Sequence, residues 1–327
     1  MAKAKTIVGL DCDGSADAAL KLVLVTRMEE MCEFGTQAQD FSDPMGVHDM
    51  RVASRRLRGA IRDFLPYLSE RPLAPAMQHI KKLARALGRV RDFDVAIETL
   101  MKTADKAPET LASGIRQIAD FRKAGLEEFR LKLLPWVGDE SLSRLRSEFP
   151  VVLKPRKTTK QKGKDAAGPL TYREVARAII LIRLSEFEEL SRNLYQPLKP
   201  KPLHALRIAA KHLRYALELF DNCWPELAIA THGRDARATS LTSIAKHVSL
   251  LQTDLGDLHD CDVWIDDFGS ALTNEVPNLN FDYKATTIWL MSHFLELRNK
   301  NMKKAWEHWA EWERQKFSSQ IRTTIET

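Results

Sequence analysis

Residues 47–64, VHDMRVASRRLRGAIRDF, and residues 203–220, LHALRIAAKHLRYALELF, carry one layout twice, 156 positions apart. Each begins with an apolar residue and a histidine, followed by basic residues three, seven and ten places on. With each residue about 100° further round a helix, His48, Arg51, Arg55, Arg58 and Arg62 fall on one side. Met50, Ala53, Leu57, Ile61 and Phe64 fall on the other. The second copy separates His204, Arg207, Lys211 and Arg214 from Leu206, Ala209, Leu213, Leu217 and Phe220 in the same way. Any fold must therefore bury one face of a long helix, leave a ladder of positive charge on its other face, and do so twice.

The remainder of the chain is equally helical in pattern. Alternating Val/Ile-rich runs are missing, and apolar positions recur at helical spacing, which predicts an all-α protein. The expected helices cover roughly 15–36, 43–68, 73–87, 92–104, 108–134 and 139–148, then 170–194, 200–221, 225–255, 261–272 and 282–322. Ser15, Asp43-Pro44 and Pro108 stand at helix starts. LKPRKTTKQKGKDAAGP (153–169) is almost devoid of apolar residues and reads as a basic linker between domains at 15–150 and 170–320. The halves correspond in order: ALKLVLVTRMEEM to VARAIILIRLSEF, the two histidine helices, LGRVRDFDV (87–95) to LGDLHDCDV (255–263), and FRKAGLEEF (121–129) to LRNKNMKKA (297–305). A repeat this long is no solenoid, and a duplicated four-helix bundle fits it.

At 327 residues and 44% hydrophobic, the chain can bury a substantial core. Its net charge of +6 is mild, so the placement of charge matters more than the total. Cys12, Cys32, Cys223 and Cys261 are widely spaced and read as free thiols in a reducing compartment. No run is long enough for a signal peptide or a membrane span, so a cytoplasmic protein is expected.

The charge ladder is unfavourable in isolation. Arg51–Arg55, Arg55–Arg58 and Arg58–Arg62 are like-charge neighbours at helical contact spacing, each destabilising by roughly 0.2–0.5 kcal/mol. A polyanion would relieve that repulsion and release its own counterions, and arginine's planar fork suits phosphate oxygens. His48 and His204 would donate hydrogen bonds to such an anion, which in turn would raise their pKa. In LGRVRDFDV, Gly88 is read as ending one helix and Asp92 as capping the next, with Gly256 and Asp260 doing the same. Arg91, its counterpart His259, Lys81 and Arg85 extend the cationic surface near that turn. Arg122 and Arg298 add to it from the late helices.

H-x-x-R-V-x-x-R-R-L-R followed by L-G-x-x-R-D-x-D-V, the pair repeated once, resembles the CHAD family, the conserved histidine α-helical domain. The residues that carry the resemblance are VHDMRVASRRLR and LGRVRDFDV, then LHALRIAAKHLR and LGDLHDCDV. It implies two pseudo-symmetric four-helix bundles around a central basic pore. It also implies binding of inorganic polyphosphate and, in some members, association with polyphosphate or polyhydroxyalkanoate granules. The second copy departs from the first at Lys211, His212 and His259, which makes it less strongly cationic and more pH-sensitive. Only SEFEELS (185–191) offers an E-x-E, without the lysine of the CYTH triphosphatase often fused to this family, so a stand-alone binding module is expected.

No cofactor, metal ion or catalytic residue is expected. DCDGS (11–15) resembles the start of a calcium loop whose remainder is missing. Two alternatives stay open. A nucleic-acid binder would need aromatics among the cations, and Tyr215 alone sits on a stripe. A histidine-dependent or metal-assisted polyphosphatase would need clustered carboxylates.

Overall fold

A computed structural model describes residues 4–156, 170–224, 240–273 and 281–326. The all-α class is observed: among the described residues no strand forms, and extended pairing is confined to the isolated bridges Ser15–Thr171 and Leu68–Pro155. The chain divides into two compact units, Met1–Tyr172 and Arg173–Thr327.

The first unit holds α1 (Ala16–Glu33), the short α2 (Gly35–Gln39), α3 (Pro44–Phe64), α4 (Glu70–Ala104), α5 (Glu109–Val137) and α6 (Asp139–Val152). Asp43 caps α3, its carboxylate accepting from the Met45 amide at 2.8 Å, with Pro44 in the first turn. Gly46 lets α3 meet α2, since a Cβ there would stand 2.0 Å from the Gln37 carbonyl oxygen. Leu20, Leu24 and Met28 of α1, Leu57 and Phe64 of α3, Leu83 and Leu87 of α4 and Phe149 of α6 are all buried in its core. Glu30 lies within that unit, 3% exposed, between Arg27 at 2.6 Å and Arg56 at 2.7 Å.

The second unit holds α7 (Tyr172–Ser191), α8 (Pro200–Phe220), α9 (Leu241–Thr273), α10 (Tyr283–Arg314) and α11 (Phe317–Glu326). Its core sets Phe187 of α7 edge-on against Trp309 and Trp312 of α10, with ring centroids 5.7 and 5.2 Å apart. Arg183 meets Glu186 at 2.9 Å on α7, the counterpart of Arg27 and Glu30 on α1.

Four expectations are corrected. Gly88 and Asp92 terminate nothing: α4 runs unbroken from Glu70 to Ala104, and Gly256 and Asp260 are equally internal to α9. The last expected helix breaks instead at Lys316, which adopts a left-handed φ of 52°. The expected linker begins later than 153, because the Ser69 amide donates to the Lys154 carbonyl and the Arg156 amide to that of Tyr67. Its remainder, 157–169, lies outside the described residues, as do 225–239 of the expected helix at 225–255. Cys12 and Cys223 are disulfide-bonded, which removes the argument from unpaired thiols for a reducing compartment. Cys32 and Cys261 are free, and burial pushes both thiols up to about 12. Among the described residues, no helix is long and apolar enough to cross a membrane.

Candidate functional site

The histidine helices fold as their patterns dictate. Met50, Ala53, Leu57, Ile61 and Phe64 of α3 are each at most 3% exposed. Their counterparts Leu206, Ala209, Leu213, Leu217 and Phe220 of α8 are fully buried. Each large apolar side chain of such a face contributes roughly 1.5–3 kcal/mol on burial. That packing fixes the rotation of α3 and α8 and aims both cationic stripes away from the core.

In the first unit α3 presents its stripe to α4. The Arg51 guanidinium crosses α4 at Gly88, whose Cβ position lies 4.0 Å from Arg51 Nε, and its Nη2 reaches Asp92 at 3.4 Å. A methyl group at Gly88 would make only ordinary contact with that guanidinium. His48 is half-buried, 4.0 Å from Asp49. Burial lowers its pKa first; Arg91 lowers it further, Asp49 opposes, and Arg55 adds to the lowering. Arg58 is likewise lowered, by desolvation and then by Arg55. The sequence motifs on α3 and α4 thus converge on one cationic cluster around His48.

The second unit repeats the arrangement. A Cβ at Gly256 would lie 3.4 Å from Arg207 Nε. His204 of α8 and His259 of α9 stand ring against ring, centroids 4.2 Å apart and planes 47° apart. Burial lowers the pKa of His204 first, followed by His259, Arg207 and Lys211, all in the same direction. His259 is lowered by burial and then Arg207, against an opposing pull from Asp262. The Nδ1 of His204 and the Nε of Arg207 are buried with no hydrogen-bond partner within the described protein. Both histidines open onto a cavity of about 860 Å³ at the start of α8, which Lys199, Lys201 and Asp266 also line.

Other expected site residues sit differently. Arg62 is engaged by its neighbour Asp63 at 3.0 Å, and Arg214 by Gln252 at 2.8 Å and Glu218 at 2.7 Å. Arg298 is 7% exposed, its Nε 2.6 Å from Asp262 and its Nη2 donating to the Pro197 carbonyl at 2.7 Å. Its structural counterpart is Arg130, which faces Asp94 at 3.8 Å, so the correspondence of the late helices shifts away from Arg122. Arg122 is half-buried on α5, and Lys81 and Arg85 are exposed on α4. The crossing points at Gly88 and Gly256 escape sequence reasoning because glycine inside a helix reads as a stop signal. Equal spacing of Gly88 and Asp94 with Gly256 and Asp262 was the available clue. Among the described residues, no group of three or more His, Cys, Asp or Glu side chains is arranged to hold a metal ion.

A sequence profile of the CHAD domain matches residues 31–268. Two solved structures are similar to the chain. One is the CHAD domain from the plant Ricinus communis, at 19% identity over 98% of this chain and 95% of that one, with a TM-score of 0.65. The other is PptA from Streptomyces chartreusis, at 11% identity over 91% of this chain and 100% of that one, with a TM-score of 0.64. At these identities the likeness carries the fold alone. No curated protein matches the chain.

Proposed function

The chain belongs to the CHAD domain family, and from that premise we propose that it binds inorganic polyphosphate through the paired stripes of α3 and α8, without turning it over. The supporting observation is electrostatic. In both units a half-buried histidine opens the stripe; burial depresses its pKa first and the charged neighbours add to the lowering, Arg91 and Arg55 at His48, Arg207 and Lys211 with the ring of His259 at His204. Holding cations together costs free energy in the empty protein, and an anion that reaches them offsets the cost.

A polyphosphate chain suits such a cluster, because it has phosphate oxygens to engage and no bases to read. The nucleic-acid reading loses support at Tyr215, the one aromatic of the stripe, whose ring is covered by the Arg214 guanidinium at 4.5 Å. Arg298 and Arg130 act as positioning residues that hold the Asp-bearing helices against α10 and α5. Recruitment to polyphosphate granules would follow from the same binding.

Competition separates the readings. Polyphosphate of defined length should displace bound single-stranded and duplex DNA at equal phosphate concentration, and DNA should not displace polyphosphate. Orthophosphate release should stay at the uncatalysed level with magnesium or manganese added. Preference for DNA contradicts the ligand assignment, and sustained release contradicts binding without turnover.

A further inference from the structure

The two stripes are alike, but the helices that face them are not. At the offset that relates Gly88 to Gly256, Lys81, Arg85, Arg89 and Arg91 of α4 become Ser249, Thr253, Asp257 and His259 of α9. The helix facing the first stripe therefore keeps its charge at any physiological pH, since arginine does not deprotonate, and titration in that half-site is left to His48 of α3. The second half-site relies on two histidine rings.

We infer that the second half-site is more strongly proton-dependent than the first, and that His259, ring against ring with His204 at the mouth of the α8 cavity, sets the difference. The inference rests on the polyphosphate reading above. The charged groups around the ring pair are Lys199, Lys201, Arg207 and Lys211 along α8 and its approach, and Asp262 and Asp266 on α9, with Arg298 of α10 behind Asp262. Asp262 is the acid that opposes the cations at His259, and Arg298 engages it. Burial, and after it the neighbouring cations, disfavour charge on either ring. A phosphate in the cavity that both rings line reverses the balance, because a protonated ring then gains an acceptor. Binding should therefore draw in protons.

The sign follows directly. The histidine pKa values are lower in the folded chain than the ordinary 6.5, so the unfolded chain takes up protons first. Stability of the empty protein is retained above pH 6.5 and lost as pH falls below it, and bound polyphosphate restores it. Each proton taken up on binding steepens affinity by up to about tenfold per pH unit.

Calorimetric titration with polyphosphate of defined length, at pH 7.5 and 6.0 in buffers of different ionisation enthalpy, counts those protons. The wild type should bind roughly tenfold tighter at pH 6.0 and take up at least one proton. H259R should bind at least as tightly as wild type at pH 7.5 and vary less than about threefold between the two pH values. H259Q, which cannot charge, should lose the gain at acid pH. Proton uptake and pH slope that survive in both variants overturn the inference, as does wild-type binding with no proton uptake. Wild-type protein that binds no polyphosphate at either pH overturns the polyphosphate reading itself.

Discussion

Glycine inside a helix costs about 1 kcal/mol relative to alanine, and this chain places one in the middle of α4 and another in the middle of α9. At both positions a guanidinium from another helix lies over the glycine, Arg51 over Gly88 and Arg207 over Gly256, at distances that leave room for a methyl group. Gly256→Ala should raise stability by up to about 1 kcal/mol in urea unfolding, because its Cβ would only touch Arg207 at 3.4 Å. Gly256→Leu should leave α9 intact, displace Arg207 and weaken polyphosphate binding in a titration. Undiminished affinity in the leucine variant would separate Arg207 from the site. Arg298 shows the opposite behaviour, a guanidinium committed to Asp262 and to the Pro197 carbonyl.

At the scale of helices, α3 and α8 were legible because a period of 3.6 places five apolar side chains on one face, and every one of them is buried. The continuity of α4 and α9 was not legible. Gly and Asp are local stop signals, and what overrides them is a guanidinium from another helix, which no window of sequence contains. Lys316 is the converse case: a left-handed turn at a residue with no local signal for one. The contact between α1 and α3 was also hidden, since Arg56 pairs with the buried Glu30 from 26 positions away. Glu30→Ala would remove the buried carboxylate that two guanidinium groups share. It should destabilise the chain by roughly 3 kcal/mol in urea unfolding, and a change under about 1 kcal/mol would show that the network carries no structural load.

Across the whole molecule the same construction occurs in both units: a packed apolar face, a histidine at the head of a cationic stripe, a guanidinium over a helix glycine, and an Asp–Arg pair behind it. A net charge of +6 barely hints at this, because a total says nothing of where the charges sit. The order of motifs made their repetition readable; the pairing of Asp94 with Arg130 and of Asp262 with Arg298 required coordinates. Calorimetric titration of polyphosphate against wild type and a variant with Arg51, Arg55, Arg207 and Lys211 changed to Ala, at 50 and 200 mM salt, tests the central claim most directly. With about six phosphate contacts, wild-type affinity should fall by two to three orders of magnitude across that salt range. The folded variant should bind at least about 100-fold more weakly at low salt, with a visibly shallower salt slope. Equal affinity and equal slope in the two proteins would contradict the account.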